Sequence, residues 1–370
     1  MKISIVTTTI NYPNFLLDYA KNFREFESYN DHDITFIIVG DNKTPKLADK
    51  YVHKAAWTVE YWGPQQQKEW LEDTLTPALN EKAKIHVPEN DIRRRNFGFL
   101  RSLQLGSDWT ITIDDDNLPL TDNWIGEHVN EKVKYLATSK NTYVNPCRVL
   151  PNNILFPIYS RGYPYSNFYT DDLSFTLNDT SAKTVLNVGL WTKSPDVDSF
   201  TNIIYPTLQT NLEGEPFKVG LAKDNFFPID TQNTGFSKDL SIFHCIYQEP
   251  IYGLPSHRYD DIWIGLFAQK LIHKMGDTAS FGSPIVRHER NSHNYDKDLQ
   301  TEFIGSVLNE NMWWIVQNME ITSNSYNDGF LEIASQLEDG FKQYSYPIRK
   351  YIERVSDNMC SWVDLIEELE

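Results

Sequence analysis

The chain has 370 residues, 40% of them hydrophobic and 14% aromatic, and carries a net charge of −17. That apolar content excludes a disordered chain, and an acid excess without any basic run or tail excludes nucleic acid and anionic membranes, whose binding rests on Lys and Arg. The three cysteines, Cys147, Cys245 and Cys360, are scattered and lack metal spacing; with no signal-peptide pattern and no apolar run near the ~18 residues of a spanning helix, a cytosolic protein with reduced thiols and no membrane span is expected.

In chain order, Ile3–Thr9, Asn14–Glu27 and Ile34–Val39 read as strand, helix and strand. Gly40-Asp41-Asn42 then turns at the carboxyl end of the second strand, the edge where open α/β sheets bind ligands. Between Lys46 and Pro88 only a polar helical piece over Gln65–Leu75 stands out. Ile92–Leu105 reads as a helix carrying Arg93, Arg94 and Arg95, with Gly98 allowing a close approach. It leads into the alternating, β-branched run Trp109–Ile113, then Asp114-Asp115-Asp116, and Asn117-Leu118-Pro119 stops the strand. From about 140 to 256 short β runs dominate. Asp260–Met275 restores a helix with Ile262, Trp263, Leu266, Phe267, Lys270 and Leu271 on one stripe at helical spacing, read as apolar, and Ile304–Met319, Gly329–Leu337 and Tyr346–Val355 are helical. The β-α-β order predicts an α/β fold with a doubly wound nucleotide-binding half. A catalytic domain over 1–298 is expected, with a helical extension over 299–370.

The acid triplet carries the chemistry. Side chains alternate along a strand, so Asp114 and Asp116 should face one way and Asp115 the other. Two adjacent carboxylates repel unless a cation lies between them, and Mg²⁺ or Mn²⁺ takes a couple of carboxylates together with phosphate oxygens. The pattern points to a metal clamping a diphosphate; a solvated acidic turn is the bland alternative.

Three further segments join the triplet: Arg161-Gly162-Tyr163-Pro164-Tyr165-Ser166, Gly189-Leu190-Trp191-Thr192-Lys193-Ser194-Pro195-Asp196-Val197-Asp198, and Arg258-Tyr259-Asp260-Asp261-Ile262-Trp263-Ile264-Gly265. In this order and approximate spacing, over roughly residues 3–295, they resemble the reversibly glycosylated polypeptides, a family of UDP-arabinopyranose mutases. The resemblance implies a GT-A-like (Rossmann-like) mixed, mainly parallel sheet flanked by helices. It also implies a divalent metal, Mn²⁺ or Mg²⁺, and a nucleotide-diphosphate sugar whose pyranose and furanose forms are exchanged through transient glycosylation of one arginine. Asn117 follows the triplet where the family usually has Cys, and the helical tail is this chain's own, so the sugar stays open.

On that resemblance Arg161, in its Arg-Gly-Tyr-Pro motif, is the glycosylated arginine. Guanidinium chemistry alone makes it a bidentate clamp for a diphosphate or carboxylate. A covalent role needs a neighbouring carboxylate, or the departing diphosphate, to take a proton. Of Asp260 and Asp261, one caps the following helix and the other is the candidate base for a ring hydroxyl. Asp196 and Asp198 face one way if extended and are assigned to the substrate, with loop closure as the alternative. Trp191 stacks on the sugar or fills the core. His288 joins Asp114 and Asp116 as a metal ligand, while Arg287 and Arg290 are possible phosphate contacts. Arg95 reaches the diphosphate or ribose, unless it sits on a surface helix with three solvated arginines. Asp41 is assigned to the base or ribose and Asp115 to the substrate, with Thr7, Thr8 and Thr9 lining the base pocket.

The expected activity is a metal-dependent mutase, with a homo-oligomer possible. A GT-A glycosyltransferase serving an external acceptor keeps the fold and changes the reaction. A silent partner subunit of an active mutase would bind the sugar nucleotide without turnover.

Overall fold

The computed structural model describes residues 1–26, 31–46, 48, 57–170, 173–177, 183–212, 217–291 and 294–370. Strands β1 (Lys2–Thr9), β2 (Asp33–Gly40) and β4 (Trp109–Asp114) are short β-branched runs buried on both faces, the signature of central parallel strands. β1 pairs in parallel with both β2 and β4, and β3 (Thr58–Trp62) extends the sheet beyond β2. Across β4 the sheet continues through β10 (Asn233–Ser237), antiparallel to β4 and to β8 (Thr184–Lys193). β8 runs parallel to β11 (Thr278–His288). β9 (Lys218–Leu221), β6 (Tyr135–Ser139) and β7 (Leu173–Leu177) complete the far side, and β5 (Asn117–Pro119) pairs with β11. Among the described residues the result is a mixed, eleven-stranded sheet flanked by helices. It is of the α/β class that the resemblance implies, a mixed sheet with helices on its flanks.

The first helix, α1 (Leu16–Phe26), packs Tyr19 and Phe23 against Phe36 and Trp124. Its predicted end, Glu27, lies outside the described residues. The Tyr19 hydroxyl donates to the Asn117 carbonyl at 3.0 Å, fixing the turn after the triplet to this helix. The arginine helix begins as a 3-10 turn at Ile92–Arg94 and continues as α4 (Arg95–Gln104). It presses on β1 so closely that a Cβ at Gly98 would stand 2.3 Å from Val6 Cγ1, which glycine alone avoids.

The helical piece expected at Gln65–Leu75 is α2 (Pro64–Thr74). A further helix, α3 (Pro77–His86), follows it, with Thr76 as N-cap and Pro77 opening the first turn. α5 (Trp124–Val129) and α6 (Ser199–Ile204) are single short helices among the strands. α7 (Asp260–Met275) has the expected bounds but not the expected stripe: it is buried almost all round, in the manner of a central helix. The tail folds as α8 (Tyr295–Gln317), α9 (Tyr326–Phe341) and α10 (Tyr346–Leu369), each longer than its apolar period indicates. α10 packs on α9, α3 and α4, and α8 packs on α6 and α7. Among the described residues no helix is long and apolar enough to cross a membrane.

Candidate active site

Two cavities open at the carboxyl ends of β1, β2 and β4 and share Asn90, Asp91, Ile92, Asp114 and Asp116 as a common wall. One, of ≈ 400 Å³, is lined by Thr8, Thr9, Asp41, Arg94 and Asp115. The other, of ≈ 420 Å³, holds Arg95, Arg161, Asp196, Asp260, Asp261 and His288. Most of the residues singled out by motif therefore meet in one continuous cleft.

Pairing in β4 ends at Asp114, so Asp116 shares its direction through the turn rather than through the pleat. Asp114 is ion-paired with Arg95 Nη2. Arg95 is 1% exposed, and its Nη1 donates to Thr112 Oγ1 at 2.9 Å and to the Thr231 carbonyl at 2.6 Å. Burial and the nearby Asp116 charge raise the Asp114 carboxyl above its usual range despite that arginine. Asp115 turns away, accepting from Thr9 Oγ1 at 2.5 Å and Asn11 Nδ2 at 3.2 Å. Asp116 accepts the Asn291 N–H at 3.0 Å and has His288 Nε2 at 3.6 Å. Burial works against Asp116's ionised form, but His288 and the Asn291 N–H outweigh it and lower the pKa.

His288 Nδ1 lies 2.7 Å from the Ser194 carbonyl. A carbonyl only accepts, so Nδ1 carries a proton and Nε2 is the atom directed at Asp116. A ring fixed this way by its far nitrogen is the usual posture of a metal-binding histidine. Among the described residues, however, no three His, Cys, Asp or Glu side chains converge into a set that could hold an ion. Asp116 and His288 form a donor pair, with Asp114 already engaged by Arg95. Such a pair fits a cation that completes its shell with phosphate and water oxygens.

Arg161 stands in the second cavity between two carboxylates. Its Nε donates to Asp196 Oδ2 at 3.1 Å and its Nη2 lies 2.9 Å from the same oxygen. Asp261 takes the other edge, with Nη1 to Oδ1 at 3.1 Å and Nη2 to Oδ2 at 3.0 Å, and Nη1 also donates to the Arg258 carbonyl. Each of the three guanidinium nitrogens thereby has an acceptor. Burial opposes the charge, yet Asp196 and Asp261 raise the arginine pKa well above its ordinary value. Asp196, in turn, is held below the usual carboxylate range against burial by Arg161 and Arg258.

The backbone is built to hold this side chain. The Arg161 N–H donates to the Asp196 carbonyl at 2.9 Å. Gly162 has φ +86°, and a Cβ there would meet Ile262 Cγ2 at 2.4 Å. The Gly162 carbonyl accepts from Asn309 Nδ2 at 2.8 Å and Trp313 Nε1 at 3.0 Å, both on α8.

Two more acids lie close to Asp196 and Asp261. Asp260, the first residue of α7, is pushed up to about 7 by burial and then by Asp261 and Asp91. Asp230, absent from the sequence reading, is pushed up to about 8 by burial and then by Asp196 and Asp261. Asp260 and Asp261 do not serve α7 as side-chain caps; the N-cap is Tyr259, without a side-chain bond.

Several expectations need correction. Trp191 is 1% exposed and lines neither cavity, so its ring fills the core and stacks on nothing in the site. Asp196 and Asp198 do not serve one site: Asp196 lines the second cavity, whereas Asp198 is the N-cap of α6, accepting from the Thr201 N–H at 2.7 Å, and lines a different cavity beside Phe200 and Tyr205. Arg93, Arg94 and Arg95 are all buried rather than solvated. Arg287 pairs with Glu289 outside both cavities, whereas Arg290 lines the second. Asp41 sits in the first cavity, 3.6 Å from Arg94 Nε. The Asn90-Asp91-Ile92 wall, Thr231, Gln232 and His257 carried no motif in the sequence.

The model of the reversibly glycosylated polypeptide family matches residues 67–370. Among curated relatives, probable UDP-arabinopyranose mutase 4 of Arabidopsis thaliana is 26% identical over 322 residues, covering 77% of this chain and 81% of that protein. UDP-arabinopyranose mutase 1 of Oryza sativa subsp. japonica is 25% identical over 293 residues, covering 79% and 75%. Among solved structures, glucosyl-3-phosphoglycerate synthase of Mycobacterium tuberculosis with Mn²⁺ and UDP-glucose gives a TM-score of 0.41 at 10% identity, covering 84% and 78% of the two chains. A likeness at that score bears no further weight.

Proposed function

The chain belongs to the reversibly glycosylated polypeptide family, and from that premise we propose that it is a nucleotide-sugar mutase exchanging the pyranose and furanose forms of a UDP-sugar. One arrangement carries the reading: a guanidinium gripped by Asp196 and Asp261 in the wall of a cavity continuous with the acid triplet. In this reading the nucleoside occupies the cavity of Thr8, Thr9 and Asp41, the diphosphate lies along the shared wall, and the sugar reaches Arg161.

The chemistry then follows from charge. The bond from the anomeric carbon to the diphosphate breaks as Arg161 forms a carbon–nitrogen bond, and the arginine proton passes to Asp196 or Asp261, each already within hydrogen-bond reach. A free arginine would not release that proton, so transfer has to accompany bond formation. The nitrogen lone pair next expels the ring oxygen, which takes the proton of Asp260, and the ring opens. Another hydroxyl of the same sugar gives its proton to Asp260, whose pKa near 7 suits a base, and attacks the anomeric carbon. The diphosphate finally recaptures that carbon, Arg161 leaves and its proton returns.

Asp116 and His288, with Asp114 beside them, would hold Mn²⁺ or Mg²⁺. A cation there supplies neutralisation of charge on the leaving diphosphate. A cytosolic setting agrees with three free cysteines, two of them buried.

The test is direct. The protein is incubated with UDP-arabinopyranose, UDP-xylose and UDP-galactose in Mn²⁺, products are separated by ring form, and peptides are mapped for added sugar mass. A furanose product with the added mass on the Arg161 peptide is expected. Ring exchange that persists in Arg161→Lys would remove the covalent step. Sugar delivered only to an added acceptor would replace the mutase with a transferase.

A further inference from the structure

Arg95, Arg161, Arg258 and Arg290 all line the second cavity, but they are not equally committed. Arg95 spends both Nη groups on Thr112, the Thr231 carbonyl and Asp114, and Arg161 directs all its nitrogens to Asp196, Asp261 and the Arg258 carbonyl. Arg290 donates from Nη1 to Asn202 Oδ1 at 2.9 Å and lies over the Tyr295 ring. Arg258 differs. Its Nε is buried, 3.6 Å from Glu302 Oε2, whereas neither Nη has a partner among the described residues and neither is shut off from solvent. The outer N–H groups of this guanidinium are therefore open to whatever enters the cavity.

The backbone of Arg258 is as unusual as its side chain. Its φ is +70°, left-handed ground that a long side chain seldom takes and that persists where the surroundings enforce it. In that turn the Arg258 carbonyl accepts from Arg161 Nη1. Glu302, 2% exposed on α8 and accepting the Ser199 N–H at 3.2 Å, stands at the stem of the guanidinium. One residue thus touches Arg161 with its main chain and holds unspent positive charge beside it. Guanidinium forks match phosphate oxygens two at a time. On the mutase reading, breaking the anomeric bond adds negative charge to the terminal phosphate of UDP in this cavity, and a donor already in place stabilises charge as it develops.

Resting on that reading, we propose that Arg258 grips the terminal phosphate of UDP as it leaves the sugar and keeps it beside Arg161 until the ring has changed size. Isothermal titration of the full-length protein with UDP and, separately, with UMP, both in Mn²⁺, isolates the terminal phosphate. Arg258→Gln should weaken UDP binding by about tenfold or more, the worth of one charged hydrogen bond, and leave UMP binding nearly unchanged. Arg258→Lys keeps the charge and loses the fork, so its UDP affinity should fall between the other two. If Arg258→Gln does not fold, Arg258→Lys decides by the same comparison of UDP with UMP. Equal losses for the two nucleotides, or an unchanged UDP isotherm, would overturn the grip, as would absence of UDP binding to the parent at millimolar concentrations. In ring exchange run with radiolabelled UDP, the Arg258 variants should carry more label into the UDP-sugar per turnover than the parent; an equal ratio would overturn retention. A parent that owes its preference for UDP to Arg258 but exchanges no ring form would sink the mutase reading and leave the grip standing.

Discussion

Around Arg161, buried acids surround one cation whose three nitrogens all donate to Asp196, Asp261 or the Arg258 carbonyl. Around the triplet, Asp115 and Asp116 meet a hydroxyl, amides and an imidazole, and the nearest guanidinium is spent on Asp114. The first half of the cleft has its charges balanced by the protein itself. The second keeps carboxylates turned toward whatever enters. The same residue type thus serves orientation in one half and recruitment in the other, and substitutions should separate the two uses.

The sharpest separation is expected from Arg161→Ala. It leaves Asp196 and Asp261 buried without their cation, and breaking such a pair costs about 3–5 kcal/mol. Denaturant unfolding should register that loss together with abolished ring exchange; a variant as stable as the parent would remove the claim that the cage is structural. Next in size, Asp116→Asn should lower kcat by about 10²-fold while leaving Tm near the parent value. Adding a chelator to the parent should mimic it, with recovery on Mn²⁺. A Tm loss matching that of Arg161→Ala would erase the contrast between the halves.

A third substitution concerns pH. Asp230, raised to about 8, ionises more readily unfolded than folded. The unfolded chain therefore binds fewer protons between about pH 4 and 8, and stability falls as pH rises through that window. Asp230→Asn removes the penalty and should gain on the parent by about 2 kcal/mol at pH 8, and by almost nothing at pH 4. Parallel pH–stability curves for the two proteins would show Asp230 to be ordinary. Smallest of all, Asp198→Ala should cost ~1 kcal/mol as a lost cap, with KM unchanged. A raised KM would return Asp198 to the substrate.

What the sequence made legible has a pattern. The triplet could be read because one strand and its stop lie within nine residues, Trp109–Asn117, and the tail helices because their apolar periods are local. α3 was hidden by Pro77 and the polar run after it, although Thr76-Pro77 is an acceptable helix start. The stripe assigned to α7 failed because a helix buried on all sides has no polar face to set a period. Trp191 and Asp198 illustrate a different limit: residue type near a motif does not tell which way a side chain turns. Asp230 was invisible for a related reason. Its charge state comes from burial and then from Asp196 and Asp261, tens of residues away on other segments, and no local pattern encodes that meeting.

The two bonds from α8 to the Gly162 carbonyl tie the Arg161 turn to the tail. Heat that loosens α8 would unlatch Arg161 while the central strands still hold, so loss of turnover on warming should precede the main unfolding transition. The tail would then act as the enzyme's thermal fuse.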